Sequence, residues 1–292
     1  LIEAPMVQQD ILFEIGGKRN NHLNSQPPAY RKIRLDIFPS GEKEYKEKFD
    51  IVHKGLNRGD SFLANLTLKT RIDTNLSLID IFERSKAPYK LYVPGRFVCF
   101  SPERFIKISD KIISTNPMKG TISADIPDAE QIILSDFKET AEHNTIVDLL
   151  RNDLSIVSDN VKVKQFRYID HIKTQTHNLL QVSSEITGTL KHGYHRQIAD
   201  IIFGMLPAGS ICGAPKAATV RLIQQAENEP RGYYTGIFGY FDGKDLDSGV
   251  LIRYIELDGN QLFYRSGGGI TAYSNWESEY EEVLNKIYLP FV

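Results

Sequence analysis

The chain has 292 residues, of which 41% are hydrophobic, and a formal net charge of −2, a composition typical of a globular protein with a substantial core. This near-neutral balance argues against a nucleic-acid-binding surface, and no apolar run approaches the roughly 18 residues that span a bilayer. The two cysteines, Cys99 and Cys212, match no metal-binding or redox spacing, which is typical of a reducing compartment. We therefore expect a cytoplasmic protein without nucleic-acid or membrane partners.

The first part of the chain is predicted to form mainly strands separated by turns. Residues 10–15 are strand-like and precede a glycine turn, and the pattern over 42–58 predicts a helix that ends before Gly59. Further strands are predicted over 61–70 and as a pair across 89–100, followed by a hairpin over 105–114.

The second part combines predicted helices with two further hairpins. Helices are predicted over 126–154, 193–206, 215–227 and about 276–288, and the hairpins over 235–253 and 250–266. Each hairpin has an Asp-Gly turn, at Asp242-Gly243 and at Asp258-Gly259. Because hairpins outnumber strand–helix–strand units, we predict the α+β class, with large antiparallel sheets and helices packed outside them.

Two of the predicted helices each carry a pair of glutamates three residues apart, Glu139 with Glu142 and Glu279 with Glu282. Residues at this spacing share a helix face, and both pairs continue an apolar stripe, so we expect the carboxylates to point inward. Converging buried carboxylates repel one another unless they bind a cation, and Mg2+ prefers carboxylate oxygens. The spacing suggests a magnesium site, and solvated acidic helix faces are the alternative interpretation.

A series of longer motifs runs from Gly59 to Lys286. They are GDSFLANLT (59–67), SPERF (101–105), NPMKGT (116–121), KETAEHNTIVDLLRNDL (138–154), LPAGSICGAPK (206–216), RGYYTGIFGYFD (231–242), LIR (251–253), SGGGI (266–270) and SEYEEVLNK (278–286). In this order and spacing they resemble the chorismate-utilising enzymes, which include anthranilate synthase component I, aminodeoxychorismate synthase component I, isochorismate synthase and salicylate synthase. The resemblance covers most of the chain.

The resemblance implies a single chorismate-binding catalytic domain over residues 1–292. Its fold would have two face-to-face antiparallel β-sheets with helices packed outside, a truncated N-terminal region, and a site in a cleft between the halves. Mg2+ is the implied cofactor. By motif position, Glu142 and Glu282 resemble the direct metal ligands, and Glu139 and Glu279 resemble the residues that support them.

The resemblance also implies how chorismate is held. Arg253 would bind the carboxylate of the enolpyruvyl arm in a bidentate manner, and Tyr234 would add a hydroxyl donor. Lys286 would balance the charge of the carboxylate cluster. The other implied substrate-binding residues lie in the glycine-rich and Gly-Thr motifs: Thr121, Gly213, Ala214, Gly267 and Gly268.

Lys119 distinguishes between the activities of this family. In NPMKGT it stands where anthranilate- and isochorismate-forming members have a small residue, and it resembles the lysine of members that aminate chorismate at C4. There the amine attacks C2 as the C4 hydroxyl departs, and ammonia then attacks C4 and expels the lysine, giving 4-amino-4-deoxychorismate. Such a lysine needs a lowered pKa. Glu103 resembles the general acid and base that protonates the departing hydroxyl.

Two alternative functions remain beside this amination. An anthranilate synthase component I would attack C2 with ammonia and eliminate pyruvate, whereas an inactive homologue would serve as a scaffold for a glutaminase. Isochorismate formation ranks lower, because Leu63 occupies the position of the lysine that activates water in isochorismate-forming members. A leucine cannot deprotonate water.

The chain departs from the family pattern at one histidine position. Family members usually carry a histidine in a helical segment at the position where this chain has Gln181, and His177 stands about one helical turn earlier. Neither cysteine lies in a nucleophile-elbow sequence, so we expect no glutaminase activity. The resemblance therefore implies chorismate and ammonia as substrates, and a separate glutamine amidotransferase subunit as partner.

Overall fold

Antiparallel pairing dominates the computed structural model, which describes residues 10–20, 32–172 and 178–291. Sixteen strands occur in the described chain. In order they are β1 Leu12–Ile15, β2 Lys18–Arg19, β3 Leu35–Phe38, β4 Leu63–Thr74, β5 Tyr89–Val93, β6 Phe97–Ser101, β7 Arg104–Ser109, β8 Ile112–Thr115, β9 Met118–Ser123, β10 Asp159–Ile172, β11 Leu179–Thr189, β12 Gly213–Ala214, β13 Ile237–Phe241, β14 Leu246–Val250, β15 Tyr254–Asp258 and β16 Gln261–Ile270.

Eight α-helices accompany these strands in the described residues. They are α1 Glu42–Asn57, α2 Leu78–Arg84, α3 Ala129–Ser135, α4 Phe137–Val157, α5 Ile198–Met205, α6 Gly209–Cys212, α7 Lys216–Glu227 and α8 Trp276–Asn285, with a 3-10 turn at Tyr194–Arg196. Two antiparallel sheets with helices confirm the α+β prediction. No helix in the described ranges has the length and hydrophobicity needed to cross a bilayer.

The chain divides into two units. The first unit comprises the described chain up to Glu103 together with Cys212–Tyr240 and Ser248–Phe291. Its sheet has nine strands in the order β12-β4-β16-β15-β6-β5-β1-β2, with β3 also pairing with β4. The longest pairing joins β4 to β16 and aligns Gly267 with Thr67 and Gly268 with Leu66. This register places the glycine-rich motif beside the motif that contains Leu63.

The core of the first unit lies between its sheet and its helices. Helices α1, α7 and α8 pack their apolar faces against β4 and β16, through buried residues that include Tyr45, Phe49, Val52, Leu66, Leu68, Leu222, Ile223, Tyr280 and Val283. A second cluster joins α2 to the same sheet around Phe82, Val98, Phe100 and Ile255. The packing of α8 is important for the site, because α8 carries Glu279 and Glu282.

The second unit comprises Arg104–Ile211 and Phe241–Asp247. Four of its strands follow the order β10-β11-β8-β7, and β9 pairs with β11. The hairpin β13–β14, through which the chain passes between the units, brings this sheet to seven strands. Helices α3 and α4 accompany these strands, and α4 carries Glu139 and Glu142.

Two sequence predictions need correction here. The helix predicted over 126–154 is divided, because Asp136 has an extended backbone and its side chain caps α4 by accepting the amide of Glu139 at 2.8 Å. The segment around Gln181, interpreted as a helix, is strand β11, and a long strand, β10, precedes it. Three register shifts between β10 and β11 interrupt the two-residue alternation that would have indicated a strand.

Lys90 attaches α2 to the sheet of the first unit. Its side chain is 8% exposed, and Nζ lies 2.8 Å from Oε2 of Glu14 on β1. The same ammonium donates to the carbonyl of Ser85 at 3.1 Å and to that of Phe82 at 3.4 Å, at the end of α2. These carbonyls have no further helical turn to bond, so the ammonium satisfies acceptors that would otherwise be buried.

Lys90→Met keeps the aliphatic stem but removes the charge and the three donors. We expect it to lower the free energy of unfolding by about 2 kcal/mol, because buried carbonyls lose their donor. Urea unfolding followed by circular dichroism measures this loss. Glu14→Gln should have a smaller effect, because the Glu14 side chain is 33% exposed. An unchanged unfolding midpoint in Lys90→Met would show that the contact is not needed.

Candidate functional site

Helix α4 places two of the predicted metal-binding glutamates in the second unit. The cap at Asp136 fixes the first turn, and Glu139 and Glu142 follow on one face of the helix. Glu142 is buried, at 8% exposure, and Glu139 is half-buried. Gly120 approaches this face closely, since a Cβ atom there would lie 3.3 Å from Oε2 of Glu139. The glutamate face of α4 therefore packs near β9.

Lys119, the predicted nucleophile, lies on β9 and meets this acidic face. Its Nζ is 3.1 Å from Oε2 of Glu142, and its side chain is 25% exposed. The pairing of β9 with β11, which sets Lys119 opposite Val182, fixes the position of its backbone. Nζ donates to the carboxylate in this contact, so Lys119 has to separate from Glu142 before its amine can act as a nucleophile.

Thr121 and Gln181 face each other across the same pair of strands. They are register partners, and Nε2 of Gln181 donates to Oγ1 of Thr121 at 3.3 Å. A β-bulge between Gln181 and Val182 changes the register next to Lys119. Gln181 is therefore placed beside two predicted site residues by a strand rather than by a helix. His177, the other candidate, lies outside the described residues.

His143 is a buried residue of this region to which the sequence analysis gave no role. It follows Glu142 on α4, is 1% exposed, and its Nε2 lies 2.7 Å from Oγ of Ser184 on β11. Burial, together with the positive charges of Arg167 and Lys119, lowers its pKa from 6.5 to about 4. The imidazole is therefore neutral near pH 7 and joins α4 to β11 without adding charge.

Helix α8 places the other two glutamates in the first unit. Asn275 caps the helix by accepting the amides of Glu277 and Ser278. Glu279 is buried, at 2% exposure, and its Oε1 accepts a hydrogen bond from Oγ of Ser274 at 2.7 Å.

The expectation that all four carboxylates point inward is wrong for Glu282. Its side chain is 47% exposed and pairs with Lys286 at 2.6 Å. The buried face of α8 consists of Glu279, Tyr280 and Val283, and Glu282 lies at the margin of that face.

Lys286 connects Glu282 to the glycine tract of β16, which consists of residues 267–269. Besides binding Glu282, its Nζ donates to the carbonyl of Gly267 at 2.9 Å. A Cβ atom at Gly268 would lie 3.5 Å from a carboxylate oxygen of Glu279 and 3.5 Å from one of Glu282. The glycines thus let the acidic end of α8 approach the strand closely.

Tyr234 and Arg253, the predicted carboxylate clamp, lie in neighbouring turns of the first unit. Tyr234 is buried at 5% exposure, and burial raises its pKa to about 12, so it remains a hydroxyl donor at neutral pH. The charges of Arg231 and Arg253 act on the same hydroxyl in the opposite direction. Arg253 has a left-handed backbone with φ of 52°, and its Nε donates to the hydroxyl of Tyr288 at 3.4 Å. Tyr288 is a partner that the motifs did not indicate.

The remaining predicted residues are placed by main-chain contacts. Gly213 and Ala214 form β12, which pairs with Ala64 and Leu63. Gly213 has φ of 111°, and any side chain there would collide with the carbonyl of Leu63, so packing alone requires a glycine. Glu103 is half-buried, and its amide donates to Oγ of Ser101 at 3.1 Å.

Asp153 was quoted within a motif but given no role. It is buried on α4, at 4% exposure, and its Oδ2 accepts the amide of Gly209 at 3.1 Å. A Cβ atom at Gly209 would lie 3.0 Å from that oxygen. The sequence signal for this contact is an aspartate on an otherwise apolar helix face. A buried carboxylate at such a position needs a fixed donor, which here is the amide of Gly209 in the Pro-Ala-Gly loop.

The donor chemistry of both acidic pairs fits a hard divalent cation. Each pair offers carboxylate oxygens, and a lysine ammonium, Lys119 or Lys286, now balances part of the negative charge. Within the described ranges, no three histidine, cysteine, aspartate or glutamate side chains are grouped closely enough to hold a metal ion. Two carboxylates suffice for Mg2+, which keeps several waters in protein sites.

Comparisons with known proteins agree on one family. Residues 7–290 match the family described as chorismate binding enzyme. A Haemophilus influenzae protein named "Uncharacterized PabA-like protein" is 52% identical over 283 residues, which cover 97% of this chain and 85% of the relative. Aminodeoxychorismate synthase component 1 of Salmonella typhimurium is 34% identical over 261 residues, which cover 84% of this chain. The match spans 56% of that relative, a little over half its length.

The fold has solved counterparts. The crystal structure of anthranilate synthase component I from Streptococcus pneumoniae superposes with a TM-score of 0.73 at 26% identity. The match covers 87% of this chain and 58% of the pneumococcal chain.

The neutral His143 should make part of the stability depend on pH. Its pKa is about 4 in the folded chain and about 6.5 in an unfolded one, so protonation favours unfolding. This contribution is fully present above pH 6.5 and is lost as the pH falls towards 4. The full contribution of His143 to the free energy of unfolding is about 3 kcal/mol. Urea titrations at pH about 7.5 and about 4.5 should therefore differ less in His143→Gln than in the wild type. An equal difference in both proteins would contradict this assignment.

Proposed function

The chain belongs to the chorismate-binding enzyme family, and from that membership we propose that it aminates chorismate with ammonia to give 4-amino-4-deoxychorismate. The observation that carries the proposal is the position of Lys119, on β9 and in contact with the glutamate face of α4. An amine at this place supplies a nucleophile in contact with one of the proposed metal ligands, Glu142. A small residue would leave the same space empty.

Chorismate carries two carboxylates, and the chain offers separate groups for them. We assign the carboxylate of the enolpyruvyl arm to the guanidinium of Arg253 and the hydroxyl of Tyr234, which stays protonated because its pKa is raised to about 12. Main-chain amides of the Gly267–Gly269 tract and of Gly213–Ala214 are the remaining proposed donors. Thr121, beside Lys119 on β9, is proposed to contact the ring.

Mg2+ is the proposed cofactor, with Glu142 and Glu282 as its ligands and Glu139 and Glu279 as the residues that orient them. When bound, Mg2+ would neutralise the ring carboxylate and withdraw negative charge as the hydroxyl leaves. The hydrogen bond from Ser274 to Glu279 supports this assignment, because it fixes a buried carboxylate beside Glu282. Lys286 is proposed to balance the charge of the same cluster.

The covalent step uses the amine of Lys119. In its neutral form, Nζ attacks C2 and the ring double bonds shift towards C4. The C4–oxygen bond then breaks, and Glu103 protonates the hydroxyl so that it leaves as water. Nζ of Lys119 lies 3.1 Å from Oε2 of Glu142. The lysine has to separate from this carboxylate before it attacks. Ammonia then forms the C4–nitrogen bond, the double bonds shift back, and the C2–Nζ bond breaks as Lys119 leaves.

Ammonia is proposed to come from a separate glutamine amidotransferase subunit. Glutamine hydrolysis by a cysteine requires an accessible thiolate, but both Cys99 and Cys212 are buried. Burial also raises the pKa of the Cys99 thiol well above its usual range. The described cysteines are therefore unsuited to release ammonia.

Anthranilate formation is the second candidate, because a pneumococcal anthranilate synthase component I shares the fold at 26% identity. That reaction has to remove a ring proton and eliminate pyruvate after ammonia is added. Lys119 argues against it, because direct addition of ammonia at C2 needs no lysine.

Lys119→Ala should lose amination while it keeps chorismate binding, because the proposed carboxylate-binding groups are unchanged. We expect turnover to fall by about a thousandfold, as when a covalent nucleophile is removed. Rapid-quench mass spectrometry of the intact chain should detect a chorismate-derived adduct in the wild type and none in the variant. Lys244→Ala, which removes an exposed lysine paired with Asp110, is the matched control and should behave as the wild type. Full activity of Lys119→Ala would exclude the covalent mechanism.

Glu142→Gln should abolish Mg2+ binding, because a neutral amide replaces a charged oxygen ligand. Isothermal titration calorimetry with Mg2+ alone measures this without any turnover. Glu281→Gln provides the control, since it removes an equal charge from an exposed position on α8. Tight Mg2+ binding by Glu142→Gln would remove this residue from the ligand set.

A further inference from the structure

One stretch of the outer edge of β4 has no strand neighbour among the described residues. On this edge β12 pairs with Leu63 and Ala64, and β3 pairs with residues 71–74. Strand β16 occupies the opposite edge along the whole interval. Main-chain groups of β4 between these partners need other hydrogen-bond partners, because a buried unpaired amide or carbonyl is costly.

Glu227 and Arg231 take the place of the missing strand. Oε1 of Glu227 accepts both the amide and the hydroxyl of Thr67, each at 2.9 Å. Arg231 donates from its terminal nitrogen to the carbonyl of Asn65 at 2.6 Å. The two side chains also bind each other in a bidentate manner, with distances of 2.6 and 2.8 Å.

This ion pair is buried, so its geometry is closely constrained. The Glu227 side chain is 2% exposed and that of Arg231 is 16% exposed. A buried charge pair is seldom the most stabilising choice for a site, because apolar residues of similar size avoid the cost of desolvation. The pair instead fixes orientation, because both Glu227 and Arg231 also bind main-chain atoms of β4.

Each member of the pair is connected to a proposed substrate-binding residue, Arg231 to Tyr234 and Glu227, through Thr67, to Gly267. Arg231 is the first residue of the turn that contains Tyr234, and the Tyr234 amide donates to the Arg231 carbonyl at 3.1 Å. At the other end, Thr67 lies directly opposite Gly267, and a Cβ atom at Gly267 would be 2.7 Å from the methyl group of Thr67. A single ion pair therefore fixes the Tyr234 turn and the backbone next to the glycine tract.

We propose that Glu227 and Arg231 are positioning residues for chorismate. They would hold the hydroxyl donor of Tyr234 at a fixed distance from the amides of the glycine tract, so that the enolpyruvyl carboxylate meets both together. This inference rests on the proposed function, because it assigns a role towards the same substrate. Neither residue is expected to touch chorismate or to take part in bond breaking.

Glu227→Gln and Arg231→Lys test this role, since each keeps the size of the side chain and breaks the bidentate pair. We expect either variant to raise the dissociation constant of chorismate, measured by calorimetry with Mg2+ present, about tenfold. The KM for chorismate should rise in parallel while kcat changes less, because the reacting groups are untouched. Mg2+ binding without chorismate should be unchanged.

Two controls separate positioning from a general loss of stability. Asp50→Asn breaks the exposed pair with Lys46 at the same helical spacing and should leave chorismate binding unchanged. Lys90→Met destabilises the same unit elsewhere and should also bind chorismate as the wild type does. The inference is overturned if Glu227→Gln binds chorismate within twofold of the wild type, or if Lys90→Met weakens binding equally. A wild-type chain that binds no chorismate would overturn the proposed function and this inference with it.

Discussion

A buried carboxylate loses its hydration and must recover that free energy from fixed donors or cations. Three buried glutamates, Glu142, Glu227 and Glu279, impose this constraint at three separate places. Each is satisfied in a different way: by the ammonium of Lys119, by the guanidinium of Arg231, and by the hydroxyl of Ser274. Each contact joins a helix to a neighbouring segment: α4 to β9, α7 to the turn that follows it, and α8 to the loop that precedes it.

The same constraint separates groups that hold the fold from groups available for chemistry. Glu227 has both oxygens engaged by donors of the protein, so it is a fixed element of the scaffold. Glu142 and Glu282 each contact the flexible end of a lysine, which can move away when another cation arrives. A carboxylate held by an exchangeable partner is better suited to bind a metal than one fixed by main-chain amides.

Much of the fold could be predicted from the sequence where turns are short and marked by glycine. The hairpins at Asp242-Gly243 and Asp258-Gly259 and the helix at 42–58 agree with the structure within a few residues. Strands β10 and β11 could not be recognised, because bulges interrupt their alternation. The motifs identified the candidate residues, yet periodicity alone could not show that Glu282 lies at the margin of α8 or that Tyr288 accepts a hydrogen bond from Arg253. Those contacts depend on tertiary packing, which local pattern does not encode.

The most direct test of this account is the product formed by the purified chain from chorismate, Mg2+ and ammonium, analysed by mass spectrometry. We expect a product in which an amine replaces the C4 hydroxyl and the enolpyruvyl arm is retained. Anthranilate released together with pyruvate would contradict the assignment, because it requires ammonia to attack C2, whereas the proposed reaction adds ammonia at C4.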